Sequence, residues 1–150
     1  MAESKKIKKD YIFAVGRRRE AVARVRLYSQ IKRGVFIGDK EVKKGDIFVN
    51  SKKIEEYFAS SVYKVIYTEP LRATNSIGKY AFTVVVEGGG PMGQLGALVH
   101  GVSRALSELD EKNRGILKKK GFLTRDPRTR QRRKVGMGGK SRREKQSPKR

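Results

Sequence analysis

The last 39 residues, from Lys112 to Arg150, limit most sharply what this chain can fold into. They hold 17 basic residues against two acidic ones, Asp126 and Glu144. After Leu123 the only large apolar side chains are Val135 and Met137. Such a segment cannot bury enough apolar surface to offset the entropy of ordering it, so it is expected to stay extended until a partner orders it. The foldable part lies before it. The sequence therefore divides into a basic N-terminal arm over residues 1–9, a globular body over residues 10–123 and an extended basic tail over residues 124–150. A body of this size buries somewhat over roughly 60% of the surface its unfolded chain exposes, enough for one core.

The whole chain of 150 residues carries a formal charge of +22. That much charge on so short a chain repels itself unless a polyanion neutralises it. Nucleic acid is the default partner, with an anionic membrane surface as its competitor. The absence of Cys removes disulfide scaffolds, thiol nucleophiles and thiolate zinc sites together. His100 is the sole histidine, which excludes any centre that needs two imidazoles. Neither a metal nor another cofactor is expected. The longest apolar runs are as short as Val84-Val85-Val86, far below the roughly 20 residues of a membrane span. The first ten residues lack the apolar core of a secretory signal. These features predict a soluble, intracellular protein built to meet a polyanion.

Periodicity divides the body into elements. Tyr11 to Val15 and Ala21 to Tyr28 read as strands; in the second, Ala23, Val25 and Leu27 alternate with Arg24 and Arg26. Gly16 and the Arg17-Arg18-Arg19 run between them predict a bulge or kink rather than a full turn. Val35 to Ile37 and Ile47 to Val49 are short strands joined by a polar run. Lys53 to Phe58 reads as a short helix, Ser60 to Tyr67 fits either type, and Pro70 is expected to end whatever precedes it. Tyr80 to Glu87 is a β-branched and aromatic strand bounded by glycine. From Gln94 to Leu109 a helix places Leu95, Leu98, Val99, Val102, Leu106 and Leu109 on one face. A second helix runs from Glu111 to about Lys120, its acid leading and its lysines trailing as the helix dipole favours, and Gly121 stops it. Strands first and helices mostly later predict an α+β fold: a two-layer α/β sandwich, a mixed sheet with helices on one face.

Five features bear on chemistry. Gly88, Gly90 and Gly93 fit the G-x-G-x-x-G spacing between a strand and a helix, the fingerprint of dinucleotide binding. A complete unit also needs a second strand ending in an acid roughly 20 residues on, but Glu108, Asp110 and Glu111 fall between two helices. A tight turn that lets the helix pack on its strand, or amides that touch an RNA phosphate, are the other readings. His100 lies beside the apolar stripe and reads as a packed or capping imidazole rather than a catalytic one. In Thr124-Arg125-Asp126-Pro127-Arg128 a single carboxylate stands between two guanidiniums. It suits both a turn tied by Asp126 and a phosphate clamp in which Asp126 holds an arginine in place. Arg17, Arg18 and Arg19 with Arg24 and Arg26 form an arginine stripe suited to bidentate phosphate contact. Arg128, Arg130, Arg132, Arg133 and Lys134 make the densest cationic cluster of the tail, followed by Arg142, Arg143 and Lys145.

Longer motifs then carry a resemblance. The chain reads Phe13-Ala-Val-Gly-Arg-Arg-Arg-Glu-Ala-Val-Ala-Arg-Val-Arg-Leu27, then Val49-Asn50, Tyr57-Phe58 and Pro70-Leu71. It continues with the glycine-rich run from Gly88 through Gln94 to Leu106, closes with Gly121-Phe-Leu-Thr-Arg-Asp-Pro-Arg128, and ends in Lys149-Arg150. Over Tyr11 to Arg150 it resembles the bacterial form of the ninth-protein family of the small ribosomal subunit. That resemblance implies a non-enzymatic, cytoplasmic ribosomal protein with a body similar to the second domain of ribosomal protein S five. It implies a seat in the subunit head among neighbouring ribosomal proteins, bound to the 3′ major domain of the small-subunit ribosomal RNA and to no membrane. It also implies a tail threaded through RNA, with Lys149 and Arg150 at the peptidyl-site transfer RNA. Arg17 to Arg19, Arg24, Arg26, Arg125 and the later tail cations would meet ribosomal RNA. The chain departs from the family in three places. It has Gln146-Ser147-Pro148 where an aromatic and then serine are usual, a longer segment from Ile31 to Lys44, and Val99 where a polar residue is common. No RNA contact is assigned to Val99. Against this stand a free-standing basic nucleic-acid-binding module and a nucleotide-dependent enzyme built on the Gly88–Gly93 loop.

Overall fold

The computed structural model describes residues 11–30, 35–37 and 40–132. The N-terminal arm therefore lies outside the described residues, as do Arg133, Lys134, Arg142, Arg143, Lys145, Lys149, Arg150 and parts of the Ile31 to Lys44 segment. What is described is an α+β fold. Strands β1 (Ile12–Arg18), β2 (Ala21–Tyr28), β5 (Ile47–Val49), β6 (Lys52–Lys53) and β7 (Ala81–Glu87) form one sheet in the order β1-β2-β7-β5-β6. The sheet is mixed: β5 runs parallel to β7 and the other pairings are antiparallel. Strands β3 (Val35–Ile37) and β4 (Lys40–Val42) make a separate hairpin. The helices are α1 (Ile54–Tyr57), α2 (Ser61–Ala73), α3 (Pro91–Leu109) and α4 (Glu111–Lys119).

Alternation along β2 assigns the two sheet faces. Ala21, Ala23, Val25 and Leu27 are fully buried and join Phe82, Val84 and Val86 of β7 beneath α3. From α3 come Leu95, Leu98, Val102 and Leu106, the stripe expected from the sequence, together with Ala97, Gly101 and Ala105. The helix lies chiefly across β1 and β2 and touches β7 less, because its small residues let it come closest there. A Cβ on Gly16 would lie 2.0 Å from the Ala97 carbonyl oxygen and 2.3 Å from the Gly101 nitrogen. Gly16 is therefore a glycine for the helix above it, not for a bend in its own strand.

Three sequence expectations need correction. The Arg17 to Arg19 run is not a bulge: β1 continues through Arg18, which pairs with Ala21, so Arg19 and Glu20 form a tight two-residue turn. Arg19 takes a left-handed φ of +53° there, without the Asn-Gly signal that would announce such a turn. Pro70 does not end a helix, since α2 runs on to Ala73. An interior proline forfeits a backbone bond at about 3 kcal/mol. Burial of Pro70 beside Tyr67 and Leu71 offsets that penalty, and the Thr74 N–H and hydroxyl both donate to the Pro70 carbonyl. The polar stretch Lys40–Val42, read as a connection, is a short strand, and Lys53, read as the start of a helix, closes the strand Lys52–Lys53 just before it.

The glycine-rich junction from β7 into α3 is a packing turn. Gly88 and Gly89 have φ of +74° and +64°, and a Cβ on Gly88 would lie 2.6 Å from the Glu20 carbonyl oxygen. Gly90 caps α3 with extended φ, and Pro91 occupies its first turn. No strand follows α3 among the described residues, so the second half of a dinucleotide unit is missing.

Candidate nucleic-acid interface

The β1–β2 turn, the start of α3 and the chain beyond Gly121 meet at one end of the body. Asp126 holds them together. Its carboxylate accepts from the Arg128 backbone N–H at 2.9 Å, from Arg128 Nε at 3.0 Å and from Arg128 Nη2 at 2.6 Å. It also forms an ion pair with Arg18. Those donors, Arg128 first and then Arg18, hold the Asp126 carboxyl well below the usual carboxylate range. The turn tied by Asp126 is present, and the same carboxylate holds the exposed Arg128 guanidinium. The sequence did not reveal its second partner, which comes from β1.

His100 secures the same end from within. Its Nδ1 accepts the Arg17 backbone N–H at 3.3 Å, tying β1 to the middle of α3. That bond requires an unprotonated Nδ1. Burial lowers the imidazole pKa below its ordinary 6.5, Arg104 and Arg125 lower it further, and a backbone contact at Leu123 opposes the shift. Beside it Arg104 donates to the Val15 carbonyl. Farther along, Asn50 pairs its side-chain amide with both backbone groups of Val86, at 2.9 Å each, and so extends the parallel β5–β7 ladder. Tyr57 donates to Gln94 at 2.8 Å, and Gln94 in turn donates to the Gly88 carbonyl at 3.2 Å. These bonds hold the glycine loop against α1 and α3.

Beyond Asp126 the tail passes the turn. Thr129 and Arg130 line a cleft with Arg19, Tyr63, Gly90 and Pro91 at the mouth of α3. A hairpin tip rich in guanidinium, a rigid helix entrance and the first tail arginines therefore share one surface, with Asp126 and Glu20 as the acids beside them. That arrangement is a cluster of guanidiniums at one end of the body, and among the described residues no group of side chains could hold a metal ion.

Comparison with known proteins agrees. Residues 16–150 match the family model described as ribosomal protein S9/S16. The chain is 43% identical over 131 residues to the small ribosomal subunit protein uS9 of Maridesulfovibrio salexigens, covering 87% of this chain and 91% of that protein. The chain belongs to the S9/S16 family. It is a structural, non-enzymatic protein of the small ribosomal subunit, at work on ribosomes in the cytoplasm. The nucleotide-enzyme reading of Gly88 to Gly93 falls with that.

In this S9/S16-family protein the expected arginine stripe is divided. Strand parity sends Arg17, Arg24 and Arg26 to the sheet face away from α3, while Arg18 turns to the helix side, where its stem packs on Gly96. Arg24 is ion-paired with Glu87, and the Arg26 guanidinium sits 5.1 Å from the Tyr11 ring centre. Arg19 stays exposed in the turn, and Arg125, Arg128, Arg130 and Arg132 are all exposed. Sequence reading missed the contributions of Arg104, Asn50 and Tyr57. All three stood inside the quoted family motifs, but nothing in the sequence pointed to the contacts they make.

Proposed function

We propose that the body, residues 10–123, docks on the 3′ major domain of small-subunit ribosomal RNA in the subunit head, and that the tail orders along that RNA. The observation that carries this reading is the Arg18–Asp126–Arg128 cluster. It fixes where the tail leaves the body and aims one guanidinium outward before RNA arrives, which lowers the ordering entropy of binding. Arg19, Arg125, Arg130 and Arg132 flank it as further phosphate donors, Arg17, Arg24 and Arg26 add theirs from the opposite sheet face, and Arg18 acts by holding Asp126. Arg133, Lys134, Arg142, Arg143 and Lys145 continue the series by sequence. From Pro127 onward 24 residues remain, a reach of up to roughly 80 Å when extended. That is enough for Lys149 and Arg150 to meet the peptidyl-site transfer RNA. The likeness of the body to the second domain of ribosomal protein S five belongs to the same reading.

Salt dependence tests it. With about eight phosphate contacts the log–log slope of RNA affinity against salt is roughly −6 to −7, and truncation before Arg125 should flatten it markedly. An unchanged slope would assign the electrostatic contact to the body alone. Filter binding of initiator transfer RNA to subunits that contain a chain lacking Lys149 and Arg150 tests the tip. Weaker binding supports the assignment, and unchanged binding removes it. Co-sedimentation of the native protein with small subunits at moderate salt separates this function from a free-standing basic module.

A further inference from the structure

The sheet face turned away from α3 carries three cross-strand rows over β1, β2 and β7. Register places Phe13 opposite Arg26 and Arg26 opposite Thr83. It sets Val15, Arg24 and Val85 in the next row, and Arg17, Val22 and Glu87 in the third. Phe13 is 45% exposed and Val85 47%, so this face keeps apolar surface within reach of a partner. At the far end Tyr28, Phe48 and Ala81 are buried with Val42 of β4, so the uncovered part is confined to these rows among the described residues. Among the described residues the tail does not cover it, because Asp126 ties the chain beyond Gly121 to the helix side.

The mixture narrows the occupant. Among the described residues of these rows stand three guanidiniums and one carboxylate, that of Glu87, which is already paired with Arg24. Arg24 and Arg26 stand two residues apart on the central strand, side by side between the apolar groups. An apolar protein surface laid here would desolvate those charges without pairing them, at a cost that its apolar contacts would not recover. RNA supplies both kinds of complement, a base for the aromatic ring and phosphates for the guanidiniums. The Tyr11 ring beside Arg26 helps hold that side chain in place next to Phe13.

We propose that this face receives an unpaired RNA base, stacked on Phe13, with the adjoining phosphates on Arg26 and Arg24. The inference rests on the reading that the chain binds ribosomal RNA, and adds a base-contacting site distinct from the hairpin–tail cluster. Ultraviolet cross-linking of the full chain in small subunits, followed by tryptic digestion, should give a nucleotide adduct on Phe13 in the peptide from Asp10 to Arg17. In binding to small-subunit RNA, Phe13→Ala should lose about 5- to 150-fold in affinity at fixed salt with its salt slope unchanged, while Phe13→Tyr keeps the affinity. Arg26→Gln should instead reduce the slope by roughly 0.7–0.9. Parent-like affinity for a folded Phe13→Ala, or adducts on the tail without one on Phe13, would overturn the site and leave ribosomal RNA binding standing. An adduct from Phe13 to a neighbouring protein would also overturn it. Failure of the full chain to bind the RNA at all would remove both readings together. If Phe13→Ala does not fold, the adduct on the parent chain decides alone.

Discussion

Replacing Gly16 by alanine tests the packing that positions the hairpin. The added Cβ would lie 2.0 Å from the Ala97 carbonyl oxygen, 2.3 Å from the Gly101 nitrogen and 2.8 Å from the Gly101 Cα, where an ordinary contact begins near 3.4 Å. It would enter the backbone of α3 itself, at two groups that bond to each other along the helix. Neither is a side chain that can turn aside. Helix and strand would have to part by more than an ångström, opening the interface of Ala14, Ala23 and Val25 with Ala97, Leu98 and Val102. Overpacking that side chains can absorb costs about 1–3 kcal/mol. With backbone opposing, the expected loss is about 3 kcal/mol or more, which at about 4 °C per kcal/mol for a body of this size is a fall in Tm of roughly 12 °C or more. Thermal unfolding of the full chain followed by circular dichroism measures it. Gly115→Ala is the control, because nothing lies within 4 Å of its added Cβ, on the exposed side of α4. It should gain about 0.5–1 kcal/mol from helix propensity alone. If Gly16→Ala melts within about 1 kcal/mol of the parent, the close approach of α3 to β1 is wrong and the rigid seat of the hairpin with it.

Leu106→Ala, at a fully buried position in the middle of the helix–sheet core, should cost about 2–5 kcal/mol in urea unfolding; parent-like stability would misassign the face of α3. Stability should fall as pH drops from 7 to 5, because His100 takes up a proton more readily unfolded than folded: its contribution is complete above 6.5 and is lost toward its lowered folded pKa. His100→Gln should flatten the urea midpoint across that window, whereas Asp126, whose pKa lies below its ordinary 3.8, stays charged there. Asp126→Ala should weaken RNA binding at fixed salt even though it raises the net positive charge. Tighter binding would mean that charge count, not the aim of Arg128, governs the contact.

What could be read in the sequence was what period and composition encode. The alternation of Ala23, Val25 and Leu27 with Arg24 and Arg26 gave β2 both its type and its buried face, and the Leu95 to Leu106 stripe did the same for α3. The small residues of α3 were opaque for a physical reason. Ala97, Gly101 and Ala105 show no amphipathic signal, and their purpose appears only once Gly16 is opposite them. The hairpin turn was hidden because Arg19 holds a left-handed φ without glycine or asparagine. Pro70 was misread because local strain was outweighed by burial that no window of sequence contains. Among the candidate residues, Asp126 and Arg128 were legible as neighbours, but Arg18 could be joined to them only by the path of the tail.

That junction changes how the arginines count. A run of three guanidiniums reads as one feature in a sequence, yet a strand sends consecutive side chains to opposite faces. The β1–β2 hairpin therefore distributes its run three ways. Arg17 joins Arg24 and Arg26 on the open sheet, Arg19 projects from the turn, and Arg18 is held by Asp126 on the helix side. One carboxylate among so many cations looks like a loss of affinity for a polyanion. It is the opposite where position matters, because mutually repelling side chains disperse unless something fixes one of them. Asp126 holds Arg18 and Arg128 from one point, and His100 pins the strand that carries Arg18 to α3. The first guanidiniums of the tail are thereby set relative to the core rather than to each other. A polyanion arriving at this end of the body would meet guanidiniums already set in place.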